Sequence, residues 1–163
     1  GYRRQRERST SSHNTVRYGK VDQSEVWGGF RVGRRANAVI TEESDTYIKG
    51  YHNGYKRFGV YHQRIFNFKQ TSIVIEDNMV AKNHLLGKSS AYFHFYPGIE
   101  VRLEKNRILV EGCDLNFSGA SSTRVKEYTY AHGYNNTEKA KLVEVIFKER
   151  LVTNITLNGS KAK

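Results

Sequence analysis

The segment from Arg8 to Arg35, RSTSSHNTVRYGKVDQSEVWGGFRVGRR, gathers the side chains best suited to chemistry. His13 carries the segment's one imidazole. It can exchange a proton or, as a cation, pair with an acid. Arg3, Arg4, Arg6, Arg8, Arg31, Arg34 and Arg35 surround it in sequence. Their forked guanidinium groups match carboxylates and sulfates in two-point contacts. These residue types suit binding an anion and exchanging a proton.

Other residues invite blander readings. Taken alone, His13 reads as a structural residue that hydrogen-bonds across strands. Asp22 and Glu25 in DQSEVW have the types of a paired-acid site, but a solvated turn of acids beside arginines explains them better. Trp27 reads as a cap on the core beside Phe30, with stacking on a sugar ring as the alternative. The run RRQRER alone reads as a solvated edge strand. His52 and His62 read as packed or surface histidines, and His84, His94 and His132 carry no partner pattern. Cys113 is the only cysteine, so no intrachain disulfide forms, and it reads as a small half-buried strand residue.

The elements that must position these residues are strands. Period-two alternation runs through IEVRLE (Ile99, Val101, Leu103), KLVEVIF (Val143, Val145, Phe147), TSIVIED (Ile73 and Ile75 opposite Val74) and ERLVTNITLN (Leu151, Ile155, Leu157). LEKNRILVEG predicts two strands joined by a tight Lys-Asn turn. Breaks rich in Gly, Asn and Ser recur at HNGYKRFG, FSGASS and AHGYNNTEK. EDNMVAKNHLLGK is the nearest candidate for a short helix. Strands so closely spaced leave no room for crossover helices. The fold class is therefore all-β: a single-domain antiparallel β-sandwich of about a dozen strands over residues 1–158, with 159–163 a frayed tail.

Composition narrows the partners. Hydrophobic content of 37% in 163 residues supports one globular core rather than disorder. The formal net charge of +11 attracts polyanions without choosing among nucleic acid, anionic membrane and acidic polysaccharide. No run of the ~20 apolar residues needed to span a membrane occurs. The basic residues are scattered among strands and no RNA- or DNA-binding motif is present, so nucleic acid and membrane are set aside as partners.

The segment also resembles the C-terminal β-domain of the heparinase II/III-like polysaccharide lyases. YRRQRERSTSSHNTV, VDQSEVWGGFRVGRRA, YHNGYKRFGVYHQRIF, IVIEDNM and FHFYPGIEV carry the resemblance, over most of residues 2–103. Residues 104–163 agree only as generic strands. The resemblance implies an antiparallel sandwich facing a cleft shared with an N-terminal α/α toroid. It implies β-elimination on uronic-acid-containing acidic polysaccharide, much of whose apparatus sits on the toroid. This chain alone is then expected to be inactive, with the toroid of the same protein as its partner. His13 is implied as the catalytic histidine, and Arg8, Asn14, Arg31, Arg34 and Arg35 as substrate-binding residues. Some relatives hold a structural zinc through two His and one Asp. His13, Asp22 and His62 have the types for it, but the spacing does not match, and no cofactor is carried over. Extracellular substrates imply a periplasmic or secreted bacterial protein, although a chain beginning on GYRRQRER gives no leader to read.

A non-catalytic module binding acidic glycans through the same arginines is the alternative reading.

Overall fold

The computed structural model describes residues 2–82 and 86–158. A short helix α1 (Tyr2–Glu7) and a 3-10 turn (Thr10–Ser12) lead into β1 (Val16–Tyr18), β2 (Glu25–Trp27) and β3 (Arg31–Gly33). β4 (Ala38–Ser44), β5 (Tyr47–His52), β6 (Val60–Phe68), β7 (Ser72–Ala81) and β8 (Ser89–His94) follow. The chain closes with β9 (Arg102–Glu104), β10 (Arg107–Val110), β11 (Cys113–Ser118), β12 (Ser122–Gly133), β13 (Asn136–Phe147) and β14 (Arg150–Leu157).

These strands form the expected antiparallel sandwich. One sheet has four strands in the order β1-β8-β13-β12, and the other has eight in the order β4-β5-β6-β7-β14-β11-β10-β9. β2 and β3 make a separate hairpin. The core lies between the two sheets. Ala91, Phe93, Val143, Val145 and Phe147 point inward from the smaller sheet, against Ile75, Met79, Ile108, Leu115, Phe117 and Leu151 of the larger. Phe93 and Phe117 meet across the interface with ring centroids 5.7 Å apart. Each fully buried large apolar side chain contributes roughly 1.5–3 kcal/mol relative to exposure.

Glu104 pairs with Arg107 across the Lys105–Asn106 turn, where Lys105 takes a positive φ of 56°. Gly119 has φ 88°, and a Cβ there would lie 2.3 Å from the Arg150 carbonyl oxygen, so glycine alone fits. At the edge of the larger sheet every residue of β4 is exposed, and its pairing with β5 shifts register between Ile40 and Glu42.

The structure departs from three sequence expectations. RRQRER lies in helix α1 and its following turn rather than in an edge strand. Arg4 and Arg8, four apart, both reach the β2–β3 hairpin, and Arg3 pairs with Glu7 at 2.8 Å on another face. Trp27 and Phe30 are 44% and 78% exposed, so they do not cap the core. Their hairpin stands outside both sheets, and its aromatics pack locally: the Arg4 guanidinium sits 3.8 Å over the Phe30 ring. Glu76–Ala81, the start of the helix candidate, is strand β7. His84 and the 159–163 tail lie outside the described residues.

Candidate functional site

The outer face of the four-stranded sheet carries mostly polar side chains. Strand alternation puts Tyr92 and His94 of β8, Leu142 and Glu144 of β13, and Lys126, Tyr128 and Tyr130 of β12 on that face. The segment before β1 lies across it. Between them is a groove of about 790 Å³, closed on the other side by Tyr2, Arg3, Arg6, Ser11, Ser12 and Arg17.

Most charges of the groove are paired. Arg3 pairs with Glu7, and Lys126 with the buried Glu144, which also accepts a hydrogen bond from the Tyr92 hydroxyl at 3.3 Å. Arg17 lies 3.7 Å from Asp22, and its buried Nε has no hydrogen-bond partner. Arg6 has no carboxylate partner among the described residues. The groove therefore holds one guanidinium, that of Arg6, without a carboxylate partner among the described residues and suited to an anion.

The approach to His13 is held by short hydrogen bonds. Ser9 and Ser12 donate their hydroxyls to the Arg6 carbonyl, each at 2.7 Å. The Thr10 amide donates to Asp22 Oδ1 at 2.9 Å, and the Thr10 hydroxyl accepts from the Gln23 amide at 2.9 Å. Asp22 is thus a turn-holding acid, and Glu25 pairs with Arg34 and Arg57. His13 itself is exposed, directly after the turn.

Asn14 ties both sheets to this loop. Its main-chain carbonyl accepts from Arg64 Nη1 at 2.7 Å. Its side-chain oxygen accepts from the His94 amide at 2.8 Å and lies 2.9 Å from His94 Nδ1. Arg64 is fixed in turn by Asp77, through Nε at 2.6 Å and Nη2 at 3.1 Å. Burial alone would raise the Asp77 pKa, but the Arg64 charge and the His62 hydrogen bond outweigh it and hold the carboxyl below its usual range.

Behind Asp77 runs a chain of imidazoles. Gly54 N–H donates to His52 Nδ1 at 3.1 Å, which leaves the His52 proton on Nε2, 3.1 Å from His62 Nδ1. His62 Nε2 then donates to Asp77 at 2.7 Å. Burial, followed by the charges of His62 and Arg64, pushes His52 down to about 4, consistent with a neutral ring. Both nitrogens of His62 are committed, so no lone pair remains for a metal. Among the described residues no three His, Cys, Asp or Glu side chains converge on a metal-sized site. His13, Asp22 and His62 do not fit zinc: Asp22 holds Thr10, and His62 faces Asp77.

The cleft arginines divide. Arg3 and Arg6 line the groove. Arg8 donates to the carbonyls of Gly29 at 3.0 Å and Arg31 at 3.3 Å, bracing the β2–β3 hairpin. Arg31, Arg34 and Arg35 are exposed on or just after that hairpin, outside the groove lining. Sequence reasoning missed Arg17, Arg64, Asp77 and His94. A signal for Asp77 existed: it is in phase with Ile73 and Ile75, so a strand reading buries it, and a buried carboxylate needs a cation.

Comparison with known proteins agrees with this architecture. The family profile described as "Heparinase II/III-like, C-terminal" matches residues 2–159. No curated protein matches the chain. Among solved structures, a heparinase III (the BT4657 gene product) superposes with TM-score 0.73 at 19% identity, covering 99% of this chain and 26% of that one. The heparan sulfate lyase HepC from Pedobacter heparinus superposes with TM-score 0.70 at 15% identity, again over 99% and 26%. The chain thus spans about a quarter of the length of each.

Proposed function

The chain belongs to the heparinase II/III-like C-terminal family, and from that premise we propose that it is the sandwich part of a polysaccharide lyase. It supplies one wall of a cleft for uronic-acid-containing polysaccharide, and a further helical domain of the same protein supplies the other. The groove beside His13 carries the reading: Arg6 offers charge for uronate carboxylates, and Tyr128 and Tyr130 offer rings for sugars.

β-Elimination removes the C5 proton of a uronate and expels the 4-O-glycosyl group. It needs a base, a proton donor and neutralisation of the carboxylate that acidifies C5. On this reading His13, which is exposed, exchanges a proton or pairs with the carboxylate, and the guanidinium group of Arg6 reduces the carboxylate charge. Heparan sulfate and heparin head the substrate candidates because the solved relatives carry those names. Such polymers lie outside the cytoplasm, so the setting is an exported bacterial protein.

The test uses the longer protein that carries this chain. It is incubated with heparan sulfate, alginate and chondroitin, and ultraviolet absorbance of the unsaturated uronate product is followed. The expected result is turnover of at least one polymer, reduced about 100-fold or more by His13→Ala with the melting temperature unchanged. Binding without turnover overturns the lyase reading in favour of a glycan-binding module.

A further inference from the structure

We propose that the outer face of the four-stranded sheet carries a further sugar subsite, an aromatic platform built by Tyr96, Tyr130 and His132 at the end of the groove, on which the same polymer stacks a sugar ring at a distance from His13. This rests on the glycan-cleft reading and deepens it.

Strand alternation sets two columns of rings on that face. Tyr92 and His94 come from β8, with Tyr96 two residues past its end. Tyr128, Tyr130 and His132 come from β12. Strand β13 runs between the columns, so their backbones lie about 9–10 Å apart. The rings nevertheless meet. His94 touches Tyr128 edge-on at 4.8 Å, and Tyr96 touches Tyr130 at 5.1 Å and His132 at 6.1 Å between centroids. Tyr130 and His132 close the cluster at 5.0 Å. The columns lean together over β13, where the partner of Tyr128 is the small Ala140, only 4% exposed.

Tyr92, His94, Tyr128 and Tyr130 line the groove, whereas Tyr96 and His132 lie outside its lining. His132 is two residues past Tyr130, about 7 Å further along the strand. A polymer leaving the groove along β12 therefore meets the platform next. Tyr96 is 59% exposed, yet two neighbouring rings brace it. A ring so held is pre-ordered, and a ligand that stacks on it loses little side-chain freedom. The platform's chemistry differs from the groove's. His132 Nε2 lies 3.0 Å from Glu138 and is occupied by it. Tyr96 offers the electron-rich face of its ring, and the axial C–H bonds of a sugar present an apolar, weakly positive face to match. The platform thus reads the body of a sugar ring, while Arg6 reads acid groups.

Chain-length dependence tests the assignment. Calorimetry is run on the longer protein that carries this chain, with His13→Ala to prevent cleavage, against tetra- and decasaccharides of heparan sulfate and of alginate. Tyr96→Ala should weaken a decasaccharide about three- to tenfold and a tetrasaccharide less than twofold. Tyr96→Phe, which keeps the ring, should bind both as the parent does. Equal losses for the two lengths, or a loss in Tyr96→Phe as large as in Tyr96→Ala, overturn the proposal. If Tyr96→Ala lowers the melting temperature of the longer protein and leaves sugar binding alone, the rings pack against the rest of that protein and the proposal falls. If Arg6→Ala weakens both lengths while Tyr96→Ala weakens neither, the platform falls and the glycan cleft stands. If neither variant weakens either length, both fall.

Discussion

Asp77 and Arg64 meet across β6 and β7 in a two-point contact, with the carboxylate wholly buried and the remaining guanidinium nitrogen bound to the Asn14 carbonyl. The pair joins the core of the larger sheet to the loop that carries His13. Removing one partner of such a pair leaves an uncompensated charge inside. Asp77→Asn should therefore destabilise the domain by about 3–5 kcal/mol, measured by urea unfolding. A loss below 1 kcal/mol would mean the pair does not hold the loop.

The imidazole chain makes stability depend on pH. His52 is held at about 4 against an ordinary value of 6.5, so folding favours its neutral form. Its contribution is complete above about pH 6.5 and is lost as pH falls toward 4; a depression of that size corresponds to roughly 3 kcal/mol. His94, also lowered, adds in the same direction. Asp77, held below its usual range, extends the loss to lower pH. Thermal unfolding between pH 7 and 4.5 should show this decline, and His52→Gln should flatten much of it. An unchanged slope in that variant would remove His52 as the cause.

Gly119 gives a steric prediction. Its positive φ and the Arg150 carbonyl both exclude a Cβ. Gly119→Ala should cost about 2 kcal/mol or more, whereas Gly28→Ala, in open space with an ordinary φ, should cost little. Equal melting temperatures for the two variants would contradict the geometry.

The exposed hairpin gives a contrast. Trp27→Ala should change stability by well under the 3–5 kcal/mol typical of a core Trp or Phe truncation, while Phe147→Ala should reach that range. A large Trp27 effect by calorimetry would restore it to a core role.

Much of the fold was legible in the sequence. Val143, Val145 and Phe147 alternate cleanly because one face of β13 meets the core. The Lys105–Asn106 turn announced itself by composition. The helix α1 did not: six residues are too few for a hydrophobic period, and polar contacts from Arg4, Gln5 and Arg8 dock it on the hairpin. The site was half legible. His13, Asn14, Arg3 and Arg6 stand close in sequence as in space. His94, Arg64 and Asp77 come from strands far along the chain, and only the register between sheets brings them to Asn14. Arg8 could not be assigned from charge alone, because its partners are backbone carbonyls that any sequence possesses.

The edge strand β4 has a consequence for how the protein behaves at high concentration. A border of unpaired amides and carbonyls beside Val39 and Ile40 would normally template a second chain. The register shift before Glu42 kinks that border, and Glu42 and Glu43 set negative charges along it. At the opposite border β9 is three residues long and ends on Arg102 and Glu104. Neither margin of the larger sheet offers a long flat apolar ledge, so that sheet carries its own guard against fibre growth.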